Sequence, residues 1–387
     1  MAWLTGVCLR TDTLEILRRE VCERFGVRNG FFFSTGRAAM VVLLRALKNE
    51  AGGASGRDEV IIPSYTCFSV PSSIIKAGLK VRICDIDPAT FDYDYEKLHR
   101  IDFSRVLCIS SANLYGLPND MGRLEQLAAE KDISLIDDAA QSMGALFAGK
   151  FSGTFGIAGI FSLDKGKVIT SMNGGIIVTN SDRLARRIET EQRQLQRPGA
   201  LSVLAEMVKM LVYSAFLRPH LYWLPARMPF LNLGATVYTE LYPVARYKEP
   251  LSGMALQLLK KLDSINDIRI SNGTYYAAAL HDIPGIRLVN SPENARPIYL
   301  RFPILIGNAE KRERVLKQMA QRRLGATQSY PSSVGDIDAV GFEAQRTEDC
   351  LAGGRSVAAQ IVTLPTHAYV NAGDRAEVVK ICRQLGG

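Results

Sequence analysis

The chain has 387 residues, 47% of them hydrophobic and 22% charged, a length that exceeds an average domain and accommodates one large and one smaller unit around a substantial core. Its net charge of +8 suits phosphates or nucleotides, but no basic run carries interleaved aromatics, which argues against nucleic acid as a partner. Seven scattered cysteines without a CxxC pair, and four scattered histidines without HExxH, argue against a disulfide frame or a zinc site and for a reducing compartment.

In chain order, residues 12–27 read as an amphipathic helix, and FFFSTGRAAMVVLLRALKNE as a strand, a Ser-Thr-Gly turn and a helix. EVIIPSYT (59–66) reads as a buried strand, PSSIIKAG as a helix and LKVRICDID as a further strand ending in acids. SRVLCISSANLYG is strand then loop, MGRLEQLAAEKD a helix, and ISLIDDAAQ (133–141) strand then loop again. Strands alternating with helices at this spacing imply βαβ units and a mostly parallel sheet. The residues from about 255 change in texture. MALQLLKKLDSINDIRISNGTYYAAAL reads as one long helix with a break near Ser271, and after it come a strand (PIYLRFPILI), a helix, the closing IVTLPTHAY and a final helix. The expected division is a large domain over 1–250 and a smaller α/β domain over 251–387, with no internal repeat.

In parallel sheets, ligands sit at the carboxyl ends of the strands. Five polar clusters fall there: Ser34-Thr35-Gly36-Arg37, Tyr65-Thr66, Asn113-Leu114-Tyr115-Gly116, Asp137-Asp138 and the pair Lys165/Lys167. One such cluster is ordinary solvation of a strand end; five together, with an aspartate and a lysine among them, point to a site. A lysine amine can form a Schiff base with an aldehyde cofactor, and an aspartate can keep the pyridine nitrogen of pyridoxal phosphate protonated. The phosphate would need N–H groups at a helix start and hydroxyl donors; Gly36 and Arg37 open a helix, and Ser162 lies five residues before Lys167. Neither GxxxxGK[ST] nor GxGxxG is present.

The ordered motifs STGRAAM, EVIIPSYT, DIDPATFDYD, NLYGLPNDM, LIDDAAQSMGA, GTFGIAGIFSLDKGKVITSMNGGIIVTN and LPTH resemble the DegT/DnrJ/EryC1/StrS family of sugar aminotransferases, well over residues 30–185 and more weakly over 255–387. The resemblance implies an α/β fold of the aspartate-aminotransferase-like pyridoxal-phosphate type I, with a mostly parallel central sheet and a smaller C-terminal α/β domain. It implies Lys167 as the cofactor lysine and Asp138 as partner of the pyridine nitrogen, with Asp137 its less specific neighbour. Gln141 would contact the ring hydroxyl, and Ser162 with the Gly36-Arg37 backbone would hold the phosphate. Lys165 falls where the family varies and reads as a surface charge.

Departures from the family pattern stand at three places. Cys67, followed by Phe68, occupies the position of the usual ring-stacking aromatic; Asn173 stands for the glutamate of GEGG; and Val244 stands for an asparagine that reaches the partner subunit's phosphate. Tyr115, Asn173, Arg301 and His367 are candidates for substrate contact; Tyr115, Arg301 and His367 each have a structural alternative, a packed turn, a half-exposed strand and a structural role near the chain's end.

The implied activity is transfer of an amino group from an amino acid, glutamate by family precedent, to a keto group, foremost on a nucleotide-linked sugar, by ping-pong kinetics through a Lys167 Schiff base in a homodimer. The apolar insert at about 200–234 leaves other readings open. Val203, Leu204, Met207, Met210 and Leu211 fall on one helix face, with Glu206, Lys209 and Tyr213 on another. Prolines 219, 225 and 229 and the polar or aromatic Arg218, His220, Tyr222, Trp223 and Arg227 follow. These suit an interface between subunits or domains, a peripheral contact of a cytoplasmic protein with the inner face of the membrane through 201–230, or a tunnel for a lipid-like or polyketide-derived carbonyl. A span across a bilayer is excluded by the charges and prolines. A non-catalytic regulatory protein on the same fold is the reading from outside enzymology.

Overall fold

The first helix, α1 (Thr13–Phe25), buries Leu17, Val21 and Phe25 at four-residue spacing, and Gly26 ends it in the left-handed conformation at φ 64°. The structure, a computed structural model, describes residues 12–50, 56–216, 238–337 and 351–384, with the backbone alone at 211–216.

The large sheet is built from β1 (Asn29–Phe33), β2 (Glu59–Pro63), β3 (Lys80–Cys84), β4 (Val106–Ser110), β5 (Ser134–Asp138), β8 (Ala158–Ser162) and β9 (Gly175–Thr179). The short β6 (Leu146–Phe147) and β7 (Lys150–Phe151) leave it to form a ribbon with β11 (Ala295–Arg296). The order in the large sheet is β1-β9-β8-β5-β4-β2-β3, with β9 antiparallel to both its neighbours and parallel pairing from β8 through β3. The strands VIIP, VLCIS and AGIFS are buried along nearly their whole length, because helices cover both faces of such a sheet.

Helix α2 (Gly36–Glu50) buries nine of its fifteen residues, Ala38 to Leu44 without interruption plus Ala46 and Leu47. It lies between the sheet, α3 (Ser69–Lys76) and α6 (Asp182–Gln194), which explains an apolar run wider than one stripe. The short α4 (Tyr95–His99) and α5 (Met121–Glu130) start with Asp94 and Asp120, whose carboxylates accept from the backbone N–H three residues on, at 3.1 Å in each case.

After helix α7 (Ala200–Phe216) the chain passes through α8 (Ser252–Leu259) and α9 (Leu262–Leu280). The long helix expected here is therefore two helices, broken at Lys260–Lys261 and continuous through Ser271. The break lets Leu259 and Leu262 both turn into the core that α1 shares, whereas Asn272 and Gly273 past Ser271 are buried in regular helix. An antiparallel sheet, β10-β12-β13, follows from β10 (Ile286–Leu288), β12 (Arg301–Ile306) and β13 (Ile361–Pro365). Helices α10 (Ala309–Gln321), α11 (Ala352–Gln360) and α12 (Ala372–Arg383) complete this part, and Val315, Met319, Val378, Val379, Ile381 and Cys382 build its own core.

Helix α7 keeps much of its expected apolar face inward, with Met210 buried and Val203 and Met207 half-buried, but departs from it at two positions: Glu206, expected on the other face, is only 6% exposed, and Leu204 points to solvent together with Leu201 and Val208. Glu206 can be buried because Lys248 (3.2 Å) and Asn173 (2.7 Å) pair with its two oxygens. The Leu211 and Tyr213 side chains and residues Arg218 to Phe230 of the insert lie outside the described residues. Among the described residues, no helix is long and apolar enough to cross a membrane.

Candidate active site

The five strand ends singled out above meet at one edge of the large sheet. A Cβ added to Gly36, the first residue of α2, would lie 3.2 Å from the Ser162 hydroxyl at the end of β8. Thr35 caps this helix: its hydroxyl accepts from the Ala38 N–H at 3.0 Å and its carbonyl from Ala39 at 3.0 Å. The first N–H groups of a fifteen-residue helix thus open beside a buried serine hydroxyl, the arrangement that favours a phosphate. Arg37 does not aim its guanidinium there; it stacks 4.3 Å over the ring of Tyr242, leaving its backbone as the contribution to the cradle.

The two aspartates of β5 have different surroundings because alternate residues of a strand face opposite ways. Asp137 is fully buried and saturated: Asn113 Nδ2 (2.7 Å), Ser111 Oγ (3.3 Å), Gly153 N (2.5 Å) and Phe155 N (3.3 Å) all donate to it. Burial pushes its carboxyl up to about 6, against the pull of these donors. Asp138 is half-buried, and the Ala140 N–H at 3.0 Å is the donor to its carboxylate among the described residues. Burial raises its pKa, while the Ala140 hydrogen bond and the Lys167 cation act in the opposite direction. Lys167 therefore stands near Asp138, and it is half-buried, whereas Lys165 is exposed. The strand thus uses one acid to anchor the Gly153–Phe155 turn and leaves the next one open to a ligand.

Gln141 lies on the loop after β5, buried and held at both ends of its amide. Its oxygen accepts from the Tyr115 N–H (2.9 Å) and its nitrogen donates to the Tyr330 hydroxyl (2.7 Å). Tyr115 has the left-handed φ of 57°, uncommon for a bulky residue, and its hydroxyl donates to Ser329 at 2.7 Å. Tyr65, Phe91, Tyr115 and Tyr330 form one wall of rings with centroids 5.7–6.4 Å apart, and Phe68 joins it 6.1 Å from Tyr330. Cys67 is half-buried at the margin of this wall and accepts from Ser69 Oγ at 3.0 Å.

Sequence reasoning missed Tyr330 and Ser329. They arrive from the segment before residue 338, nearly 190 positions from Gln141, and a Tyr-Pro dipeptide in a turn is the single local signal there. The remaining candidates sit around this centre. Arg301 lies near Tyr115 but braces the small sheet, with Nε to Thr363 Oγ1 (2.7 Å) and Nη2 to the carbonyls of Thr363 (2.8 Å) and Gly325 (2.6 Å). Asn173 donates its amide to Glu206, which turns it toward α7. His367 is exposed, its ring edge-on to Tyr369 at 6.0 Å. Val244 precedes Ala245 and Arg246, whose guanidinium binds the last carbonyls of α6 at Gln192 (3.0 Å) and Arg193 (2.8 Å), a structural use of that arginine.

Comparison with known proteins gives a match to the DegT/DnrJ/EryC1/StrS aminotransferase family over residues 5–213 and 241–383. The unmatched stretch between, 214–240, overlaps the apolar insert. A GDP-perosamine synthase of Caulobacter vibrioides is 34% identical over 174 residues, 45% of this chain and 46% of that protein, so the alignment spans about half the length of the curated relative. The solved structure of S. venezuelae DesV in complex with a ketimine intermediate superposes with a TM-score of 0.76 at 22% identity, covering 97% of this chain and 89% of the other. That of E. coli GDP-4-keto-6-deoxy-D-mannose-3-dehydratase with bound hydrated PLP gives 0.76 at 19% identity, covering 96% and 91%. Both have the fold described here, the pyridoxal-phosphate type I architecture with its mostly parallel central sheet.

Proposed function

Because the chain belongs to the DegT/DnrJ/EryC1/StrS aminotransferase family, we propose that it is a pyridoxal-phosphate aminotransferase that transfers an amino group from an amino acid, glutamate as the expected donor, to a keto group on a nucleotide-linked sugar. The observation that carries this reading is that Lys167 and Asp138 follow the adjacent strands β8 and β5, close enough for the lysine's charge to act on the carboxylate, beside the Gly36–Ser162 cradle. The donor set fits the cofactor: an amine for its aldehyde, an acid for its ring nitrogen, an amide at Gln141 and a helix start with a serine for its phosphate. When bound, the cofactor supplies an electron-withdrawing ring that stabilises negative charge on the carbon that gives up its proton.

The chain's own groups do the rest. Lys167, a half-buried amine whose charge acts on Asp138, can take a proton at Nζ from one face and return it, acting as base and then acid. Asp138 provides a negative charge that Lys167 helps to keep ionised, and the Ala140 amide fixes its rotamer. The ring wall of Tyr65, Phe91, Tyr115 and Tyr330 excludes water on the small-domain side. Donor and acceptor would use one site in turn, which gives ping-pong kinetics. The GDP-linked sugars in the names of the two relatives support a nucleotide sugar as acceptor, and a lysine at 167 favours amination over dehydration. A homodimer is part of the proposal, and the solvent-facing Leu201, Leu204, Val208 and Leu241 support it.

The test is borohydride reduction of the purified protein supplied with pyridoxal phosphate, followed by peptide mass mapping. A reduced cofactor on Lys167 is expected. A label on Lys165, or none at all, defeats the assignment. Screening keto-sugar nucleotides with glutamate then decides the substrates.

A further inference from the structure

The loop that carries Lys167 leaves β8 at Leu163 and returns to β9 at Gly174. Its base is closed by Leu163 N to Gly174 O (2.9 Å), Ser171 N to Leu163 O (3.0 Å) and Thr170 Oγ1 to Leu163 O (3.0 Å). Its tip turns through Lys167 N to Asp164 O (3.2 Å), with Gly166 left-handed at φ 78° and no atom within 4 Å of where its Cβ would be. The tip is thus held by little of its own. The return leg is different. Met172 adopts a left-handed φ of 73°, a conformation that persists only where the surroundings impose it. Those surroundings are the core, in which Val168, Ile169 and Met172 are buried, the Met172 N–H bonded to Thr170 Oγ1 (3.0 Å), and a chain of hydrogen bonds: Tyr247 OH to Ser171 Oγ (2.8 Å), Ser171 Oγ to Asn173 O (2.8 Å) and Asn173 Nδ2 to Glu206 Oε1 (2.7 Å).

Glu206 comes from α7, a helix with no other polar link to this loop among the described residues. It is 6% exposed, and its second oxygen is taken by Lys248 Nζ at 3.2 Å, which also donates to Ser202 O at 3.2 Å. Lys209 stands 3.8 Å away. A buried carboxylate is costly unless every lone pair is used, and here one of its two oxygens serves the lysine loop. An apolar residue at 206 would suit the stripe Val203, Met207, Met210 and would leave the Asn173 amide without its partner.

We infer that Glu206 is a positioning residue: through Asn173 it fixes the return leg of the loop and so the place of the Lys167 amine relative to Asp138. This rests on the reading of Lys167 as the reactive lysine, and it makes α7 a part of the site rather than a surface ornament. A change in how α7 is seated reaches the return leg of the loop, six residues past Lys167, through two side chains.

The experiment uses the full chain without added cofactor and the variants Asn173→Ala, Glu206→Ala and the double variant. Two quantities are read: amide hydrogen exchange of residues 163–175, and the acylation rate of Lys167 by a succinimidyl ester relative to exposed Lys165, by mass spectrometry. Each single variant is expected to speed exchange of 163–175 about tenfold or more, with β4 (106–110) unchanged, because a hydrogen bond to a charged buried group is lost. Lys167 acylation is expected to rise at least about threefold against Lys165, the signature that a merely structural contact on α7 would not give. The double variant is expected to be no faster than the faster single one, since both break the same link. Unchanged loop exchange in Asn173→Ala, or faster exchange with an unchanged Lys167 to Lys165 ratio, overturns the inference. Should Glu206→Ala lose its fold, seen as faster exchange in β4 as well, Asn173→Ala decides, because it leaves the Glu206–Lys248 pair in place. The borohydride experiment fails independently of these readouts, so loss of the aminotransferase reading and loss of the Glu206 link are told apart.

Discussion

Substituting Gly159 by alanine tests the structural support of the site in one step. Gly159 lies on β8 opposite Asp137 of β5, and its added Cβ would fall 1.8 Å from the Gly153 carbonyl oxygen and 2.7 Å from the Gly153 Cα. Gly153 cannot retreat. It has φ 91°, and on its other side the Phe161 ring stands 2.4 Å from where its own Cβ would be, with Phe161 packed on Phe25 at 4.6 Å. The turn must move outward, which draws the Gly153 N–H off Asp137 Oδ2 and loosens that of Phe155. Overpacking costs about 1–3 kcal/mol, and each hydrogen bond lost from a buried carboxylate about 1.5–3 kcal/mol. With one such bond broken, the expected loss is about 2.5–6 kcal/mol, a large share of the roughly 5–15 kcal/mol that stabilises a protein. Urea unfolding at pH 7 measures it. Gly149→Ala is the control, since Gly149 has φ 79° but open space around it; that variant should lose about 1–2 kcal/mol from backbone strain alone. If Gly159→Ala is no less stable than Gly149→Ala, the account of Asp137 as anchor of the 153–155 turn is wrong.

Asp138→Asn removes the charge next to Lys167 while keeping its size and is expected to lower turnover by on the order of 10²-fold with the fold intact by circular dichroism; turnover within a few-fold of wild type would remove Asp138 from the proposed machinery. Asp92 is buried, and burial raises its carboxyl to about 6, so between about pH 4 and 6 the unfolded chain is ionised there while the folded chain still holds its proton. Stability from this group is therefore present at low pH and lost as pH rises through the window, by up to about 3 kcal/mol. The difference between wild type and Asp92→Asn should shift by that amount from pH 4 to 7 in urea titrations, and a constant difference refutes the shift. Tyr276 is fully buried with no partner for its hydroxyl among the described residues, so Tyr276→Phe should be as stable as wild type or more so by up to about 1 kcal/mol; a loss above that range in thermal unfolding would mean the hydroxyl is hydrogen-bonded.

The sequence by itself determined the alternation of strands and helices in the first half of the chain, and with it the edge of the sheet where Ser34 to Arg37, Tyr65, Tyr115, Asp138 and Lys167 meet. Those features are local: hydrophobic period, turn residues and the polar residues that close each strand lie within one element of each other. Lys165 and Lys167 are told apart in sequence by the family resemblance, which fixes spacing along one loop, and Lys167 is the half-buried one of the two. What the tertiary structure alone decided involves residues far apart. Tyr330 reaches Gln141 across 189 positions, and no pattern near either residue announces it. The helix after residue 252 breaks at Lys260–Lys261 because the core shared with α1 claims both Leu259 and Leu262, although Ser271 is the poorer helix former. Most tellingly, α7 buries Glu206, which its apolar pattern places on the other face, and exposes Leu204, which that pattern places inside. The sequence showed that Asn173 departs from the glutamate found in related chains; folding brought the carboxylate of Glu206 to that amide and Lys248 to its other oxygen. Periodicity assumes that an acid prefers water, and an acid whose two oxygens are both taken no longer does.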